Sequence, residues 1–284
     1  FIDEVHKYPN WSIELKNIID TYKNHKIVFS ASSSLDLNKS KADLSRRVVY
    51  YPLRGLSFRE FIMIEKKREI SACSLTELLG QHVALAEELK PLKPLKLFND
   101  YLSYGYYPFY LEGVEDYVSK LNNVIERVIF EDIAVVYNLK QTTLPALKKI
   151  LWLVATTDGL IPNIDNMSSS MGISREIIYN CLEYLGQSGL LCNLYPEGKG
   201  IKLIRKPGKI YLNNTNLLHA INGTLKQNGG KGGARETFFS NQVGPLYKLN
   251  LHSSADFIID SEIVVEVGGA GKGSSQIQNI PNSY

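Results

Sequence analysis

The sequence predicts an α/β segment at its N-terminus, then a helical region, then three helices closed by a β-hairpin, and finally a second small α/β unit. Three observations carry this expectation. Over residues 1–60, short apolar runs alternate with amphipathic stretches, as strands alternating with helices do. From Ser57 to Tyr137 the apolar residues recur mostly at helical spacing. From Leu144 onward, three helical patterns lead into two β-type runs around Pro196-Glu197-Gly198-Lys199-Gly200. The expected units are residues 1–56, 57–140, 141–222 and 223–284.

The first unit opens on Phe1-Ile2-Asp3-Glu4, an apolar run ending in two acids, which reads as the end of a buried strand. Pro9-Asn10-Trp11-Ser12 precedes an amphipathic helix with Ile13, Leu15, Ile18, Ile19 and Tyr22, capped by Asn10 or Ser12. Lys26 to Ser30 reads as a buried parallel strand, Asp36 to Arg46 as a short helix, and Val48 to Tyr51 as a third strand closed by Pro52. In the second unit, Ser57 and Glu60 form a capping box, Pro91 and Pro94 interrupt the pattern, and Tyr117 to Tyr137 reads as one long helix.

In the third unit the helices are expected at Leu144 to Thr156, Asn163 to Met171 and Arg175 to Gln187, with Gly189 ending the last. Strands at Leu190 to Tyr195 and Ile201 to Ile204 complete a winged helix-turn-helix. Asn228 to Gly233 is a glycine-rich linker. Glu236 to Val243 then reads as a helix, and Ala255 to Asp260 and Glu262 to Val267 as a hairpin.

Composition bounds the function. The net charge of +3 is too small for nucleic-acid binding by bulk electrostatics, so any basic surface must be local. Cys73, Cys181 and Cys192 have no zinc or disulfide spacing and fit buried free thiols in a reduced, cytoplasmic setting. No apolar run reaches membrane-spanning length, and no signal peptide opens the chain. The chain starts without methionine and ends without a capping pattern, as a fragment of a longer protein would.

Several residues form chemical constellations. A nucleotide-hydrolysing P-loop site needs an Asp at a strand end to hold magnesium and an acid beside it to orient water; Asp3 and Glu4 supply both. A helix-capping pair is the competing reading. Ser30 ends the next apolar run. Arg46 and Arg47, before the third strand, are placed to reach a transferred phosphoryl group, or simply to flank the strand. On the hairpin, Lys199, Lys202, Arg205, Lys206 and Lys209 lie in a span free of acids and are candidates for DNA-backbone contact. The helix that would enter the groove carries Arg175, Glu176, Tyr179, Asn180 and Glu183, and its acids oppose such a partner. A solvated hairpin or a docking surface is the alternative.

Phe1 to Pro9, Ser30 to Leu37, Ala42 to Arg47 and Leu53-Arg54-Gly55-Leu56-Ser57-Phe58-Arg59-Glu60-Phe61 together resemble the bacterial and archaeal AAA-family P-loop ATPases that carry a C-terminal domain of unknown function. Leu102 to Pro108 is similar to their lid motif, with Tyr106-Tyr107 where that motif has Gly-Phe. The resemblance implies ATP and Mg2+ as cofactors, a partial P-loop AAA core, a helical lid and a possible homo-oligomer. For Ser30 it implies the role of orienting the attacking water. It also implies a Gly-x-x-x-x-Gly-Lys-[Ser/Thr] loop, and this sequence contains none. The tail resembles the family's restriction-endonuclease-like unit, with Asp256 opening a strand, Glu266-Val267-Gly268 on the next, and Glu236 on the preceding helix. Asp256 and Glu266 would hold magnesium. The lysine of the Glu-x-Lys pattern is replaced by Gly268, so a weakened or absent nuclease site is expected. The function implied is ATP hydrolysis coupled to a C-terminal region that binds DNA or a protein. The alternatives are DNA processing by the tail and a non-enzymatic interaction module.

Overall fold

The computed structural model describes residues 1–5, 8–31, 44, 46–198, 206–226, 231–269, 273 and 275–284. Among them the protein is mostly helical, with two small antiparallel sheets. The expected N-terminal strands are reduced to one parallel bridge, Ile2 to Phe29, with Ile2 N–H donating to the Val28 carbonyl (2.9 Å) and Ser30 N–H to the Ile2 carbonyl (2.9 Å). Residues 48–51 form no strand. A buried parallel sheet needs neighbouring strands and covered faces. Here Val28 is 61%, Val49 75% and Tyr51 86% exposed, so the ladder does not extend. The expected helix at 36–46 lies almost wholly outside the described residues. Helix α1 (Trp11–Thr21) packs Trp11 and Leu15 against Val5 and Leu44 in a small core of their own. Its N-cap residue is Asn10, which makes no side-chain cap bond.

Behind this segment come α2 (Phe58–Lys66), α3 (Leu75–Leu89) and α4 (Pro94–Asp100). The Ser57–Glu60 capping box forms as expected. The long helix expected from Tyr117 is a continuous run made of α5 (Tyr117–Arg127), a π-helical turn (Val128–Ile133) and α6 (Ala134–Val136). A second π-helical turn, Tyr101–Gly105, continues α4. Then α7 (Leu144–Ala155), α8 (Ile164–Met171) and α9 (Arg175–Gln187) follow within a residue of their expected bounds. Asn163 and Ser174 cap the last two, each accepting a backbone N–H.

β1 (Leu191–Leu194) pairs antiparallel with β2 (Lys209–Leu212), a strand the sequence does not lead one to expect; the strand expected at 201–204 lies outside the described residues. The apolar run Ile210-Tyr211-Leu212 supplies the buried strand, and Leu160 pairs with Ile210 on its other edge. α10 (Thr215–Leu225) follows, capped by Asn214. The glycine-rich stretch is helical from Lys231, where α11 (Lys231–Val243) begins earlier than its apolar pattern indicates. The tail ends in a three-stranded antiparallel sheet of β3 (Leu249–Asn250), β4 (Phe257–Ile259) and β5 (Ile263–Val265). Cys181 is buried, whereas Cys73 is exposed, against the expectation of buried thiols.

One hydrophobic core runs from Phe61 to Ile221 and joins α2, α4, α5, α7, α9 and α10. Asn216 of α10 sits inside it, fully buried. Its amide donates to the carbonyls of Tyr101 (2.8 Å) and Leu102 (2.9 Å) and accepts from the Tyr106 N–H (2.8 Å) and the Tyr117 hydroxyl. The π turn at Tyr101–Gly105 leaves carbonyls without ordinary helical partners, and Asn216 satisfies two carbonyls there.

Burial pushes the Tyr101, Tyr117 and Tyr211 phenols well above the ordinary tyrosine range, so the folded state keeps them neutral. A raised folded-state value means that stability is intact below the unfolded value near pH 10 and is lost as pH rises toward the folded value. Each such tyrosine should cost about 1.4 kcal/mol per pH unit above about 10. Urea midpoints should therefore be flat up to about pH 9 and fall steeply by about pH 11. A flat profile through that range would remove these phenols as the cause.

Candidate functional site

The first cluster stands at the end of the N-terminal bridge. Asp3 and Ser30 end adjacent parallel segments, and the Ser30 hydroxyl donates to Asp3 Oδ1. Glu4 N–H lies 3.1 Å from the same carboxylate oxygen and 3.3 Å from Ser30 Oγ, with Glu4 in a left-handed turn (φ 54°). The turn sends the chain away from the strand line, and Val5 N–H then bonds the Ser30 carbonyl (3.0 Å). Asp3, the Glu4 amide and Ser30 are thus brought together at the carboxyl ends of two adjacent parallel segments. A carboxylate beside a hydroxyl is an all-oxygen donor set that suits magnesium.

The arginines stand elsewhere. Arg47 reaches α1, where its guanidinium makes a bidentate pair with Asp20 (2.8 and 2.9 Å). The Arg47 hydrogen bond holds the Asp20 carboxyl below its ordinary range. Arg46 lies in an exposed turn. Contact with a phosphoryl group would require Arg47 to leave Asp20.

The second cluster joins the hairpin to the tail. Asp256 precedes β4 and Glu266 follows β5, so they face each other across the end of the ladder. Asp256 N–H donates to Glu266 Oε2 (3.0 Å), and Val267 N–H to Asp256 Oδ2 (3.0 Å). Lys209, at the start of β2, places Nζ 3.1 Å from Glu236 Oε2 and 3.4 Å from Asp256 Oδ1. The Tyr211 hydroxyl, two residues on and so on the same face, donates to Glu236 Oε2 (2.6 Å). Burial first, and then the Glu236 acceptor, raises the Tyr211 phenol. Among the described residues no three His, Cys, Asp or Glu side chains are grouped to hold a metal. The cation facing this cluster is Lys209, so the position expected for a free backbone contact is an ion-paired one. Lys206 donates to the Pro162 carbonyl (2.7 Å). Lys199, Lys202 and Arg205 lie outside the described residues.

α11 holds both halves of this arrangement. Its first turn approaches the end of α7 so closely that a Cβ on Gly233 would fall 2.3 Å from Asp158 Oδ1. Gln242 near its far end accepts the Phe58 N–H (3.1 Å) and donates to the Tyr101 hydroxyl (2.9 Å), which itself donates to the Leu56 carbonyl (2.7 Å). Sequence reading missed Asn216, Gln242 and Tyr211. Polar residues on otherwise apolar helix and strand faces were the available signal.

Two stretches of the chain match known families. Residues 1–62 match the model of the AAA domain, a nucleotide-binding domain of P-loop NTPases, and so include the Asp3–Ser30 cluster. Residues 95–228 match a domain of unknown function (DUF8612). The uncharacterized protein MJ1637 of Methanocaldococcus jannaschii is 29% identical over 97% of this chain. The uncharacterized protein MJ1544 of the same organism is 24% identical over 67%. This chain spans 62% and 41% of their lengths, respectively. No solved structure matches it. Among the described residues no helix is long and apolar enough to cross a membrane.

The seat of α11 makes a paired prediction. Gly233→Ala must displace Asp158 or the helix and should destabilise the protein by about 1–3 kcal/mol. Gly223→Ala, on α10 with open space around it, should be neutral or stabilise by up to about 1 kcal/mol. Equal denaturation midpoints for the two variants would contradict this packing.

Proposed function

We propose that this chain is the C-terminal portion of an ATP-hydrolysing AAA-type protein in which nucleotide state is coupled to a helical lid, a winged helix and a tail that engage a partner. The observation that carries the reading is the Asp3–Ser30 pair at the carboxyl ends of adjacent parallel segments, inside the stretch that matches the AAA domain. In this reading Asp3 would help to hold Mg2+, and Glu4, on the turn beside it, would orient and deprotonate the attacking water. Ser30 fixes the Asp3 carboxylate by hydrogen bond. Magnesium, when bound, would neutralise charge on the transferred phosphoryl group. The amides and lysine that cradle ATP come from outside this chain, since the sequence lacks the phosphate-binding loop. Arg46 or Arg47 acts on the phosphoryl group of its own or a neighbouring copy in a homo-oligomer, after Arg47 exchanges Asp20 for it. A cytoplasmic setting fits a nucleotide-driven protein.

The C-terminal partner is a DNA backbone or a protein. α7, α8 and α9 followed by β1 and β2 support a winged-helix assignment by their order. The tail reading is a nuclease-like unit used for docking rather than cleavage. Asp256 and Glu266 accept backbone amides across the hairpin, and Lys209 faces Asp256. The lysine that a cleaving site draws from Glu-x-Lys is absent at Gly268. Plasmid cleavage with Mg2+ or Mn2+ that disappears in Asp256→Ala and Glu266→Ala would overturn the docking reading.

The ATPase reading is tested in the protein complete at its N-terminus. Glu4→Gln should retain ATP binding and lower turnover by a factor on the order of a hundred or more. Turnover equal to that of the parent protein would take Glu4 out of the mechanism.

A further inference from the structure

Helices α5, α7 and α10 enclose a cavity of about 150 Å³ within the stretch that matches the domain of unknown function. Each helix lines it with residues three and four apart, which share one helical face. α5 supplies Asn122, Ile125 and Glu126, and α7 supplies Lys148, Leu151 and Trp152. α10 adds Ile221 and Thr224. The lining is divided by depth. Ile125, Leu151 and Ile221 are buried members of the main core and make an apolar floor. Lys148, Glu126 and Trp152 are 34%, 43% and 37% exposed and stand at the mouth.

Two opposite charges share that mouth. Lys148 Nζ donates to Glu126 Oε1 and lies 5.5 Å from the centre of the Trp152 ring, within cation–π range. On the rim, the Asn122 amide donates to the Thr224 hydroxyl (3.1 Å) and ties α5 to α10. The ion pair is open to water, so separating its partners costs little.

We propose that this cavity binds a free α-amino acid with an apolar side chain of about leucine size. A cavity of this volume with apolar walls takes a group as large as a benzene ring, and the branched leucine side chain fits the same space. The α-carboxylate pairs with Lys148 and the α-ammonium with Glu126. Charge balance selects the zwitterion. A carboxylate alone would take Lys148 and leave Glu126 without its cation, and an amine alone would do the reverse. Either strands a charge beside an apolar floor. A zwitterion replaces one neutral pair by two, and the Trp152 ring keeps the Lys148 ammonium in place while the exchange occurs. This site is independent of the nucleotide cluster and of the hairpin.

The test is a fluorescence titration of the 284-residue chain. Trp152 is the reporter, since the other tryptophan, Trp11, lies in the separate N-terminal core. L-leucine should change the tryptophan emission saturably. Isocaproate, which is leucine without its amine, and isoamylamine, which is leucine without its carboxylate, should each bind at least about tenfold more weakly. Lys148→Met and Glu126→Gln should each weaken leucine binding by a similar factor. Lys148→Glu combined with Glu126→Lys should recover much of it, because both charges return to the mouth in exchanged positions. If a variant fails to fold, the three ligands on the parent chain still decide. Equal binding of all three would reduce the cavity to an apolar hole and overturn the amino-acid proposal. Unchanged emission, together with no saturation transfer to leucine in ligand-observed NMR, would overturn the site itself.

Discussion

The seating of α11 is the constraint on which the rest of the molecule depends. Gly233 lets it approach Asp158 at the end of α7. One turn on, Glu236 takes the charge of Lys209 and the hydroxyl of Tyr211. Phe238 enters an aromatic cluster with Phe58, Phe98 and Tyr101, with ring centroids 4.8–6.3 Å from its own, while Phe239 packs on Phe257 of the tail sheet (4.9 Å). Asn241 donates to the Asn213 carbonyl (2.9 Å), and Gln242 closes the far end on Phe58 and Tyr101. A helix whose successive residues serve different neighbours cannot shift along its axis without breaking several contacts at once. That is the physical sense in which α2 and α4, the hairpin and the tail sheet are tied together through α11.

The core is specified by polar groups as much as by apolar ones. Asn216 joins α10 to the π turn after α4 and to α5, and three of its four bonds are fully buried, where an unmade bond costs most. Tyr101 does the same between Leu56 and Gln242. Apolar packing supplies the bulk of the stability, but it tolerates small rotations. Hydrogen bonds from a buried amide to particular carbonyls do not, and they fix which face of α10 meets the lid.

This wiring links the stretch that matches the AAA domain to the C-terminal units. Phe58 lies within that stretch, and its amide is bonded to a tail helix that also bears the Lys209 clasp. The N-terminal cluster of Asp3, Glu4 and Ser30 sits on its own small core around Trp11 and Leu15, separate from the main one. The N-terminal cluster and the tail thus belong to different packing units.

The local elements of the C-terminal half are legible from neighbouring residues alone. Helical periodicity and caps placed α7, α8 and α9 within a residue, because period and capping are properties of neighbouring residues. The meeting of Asp3 with Ser30 is what the resemblance to the AAA family implies, and it comes about through one parallel bridge between Ile2 and Phe29. Only the tertiary structure decided the partners of charges. Lys209 reads as a wing base beside its neighbours in sequence, and becomes an ion-pair donor because α11 returns across β2, 27 residues on from Lys209. The strand at 209–212 was likewise hidden, because what makes it a strand is its pairing with β1 and Leu160, far from it in sequence. Asn216 and Gln242 look like ordinary polar helix residues until the carbonyls of a π turn and the amide of Phe58 are brought to them. Charge and hydrogen-bond partners are set by long-range approach, which no window of sequence contains.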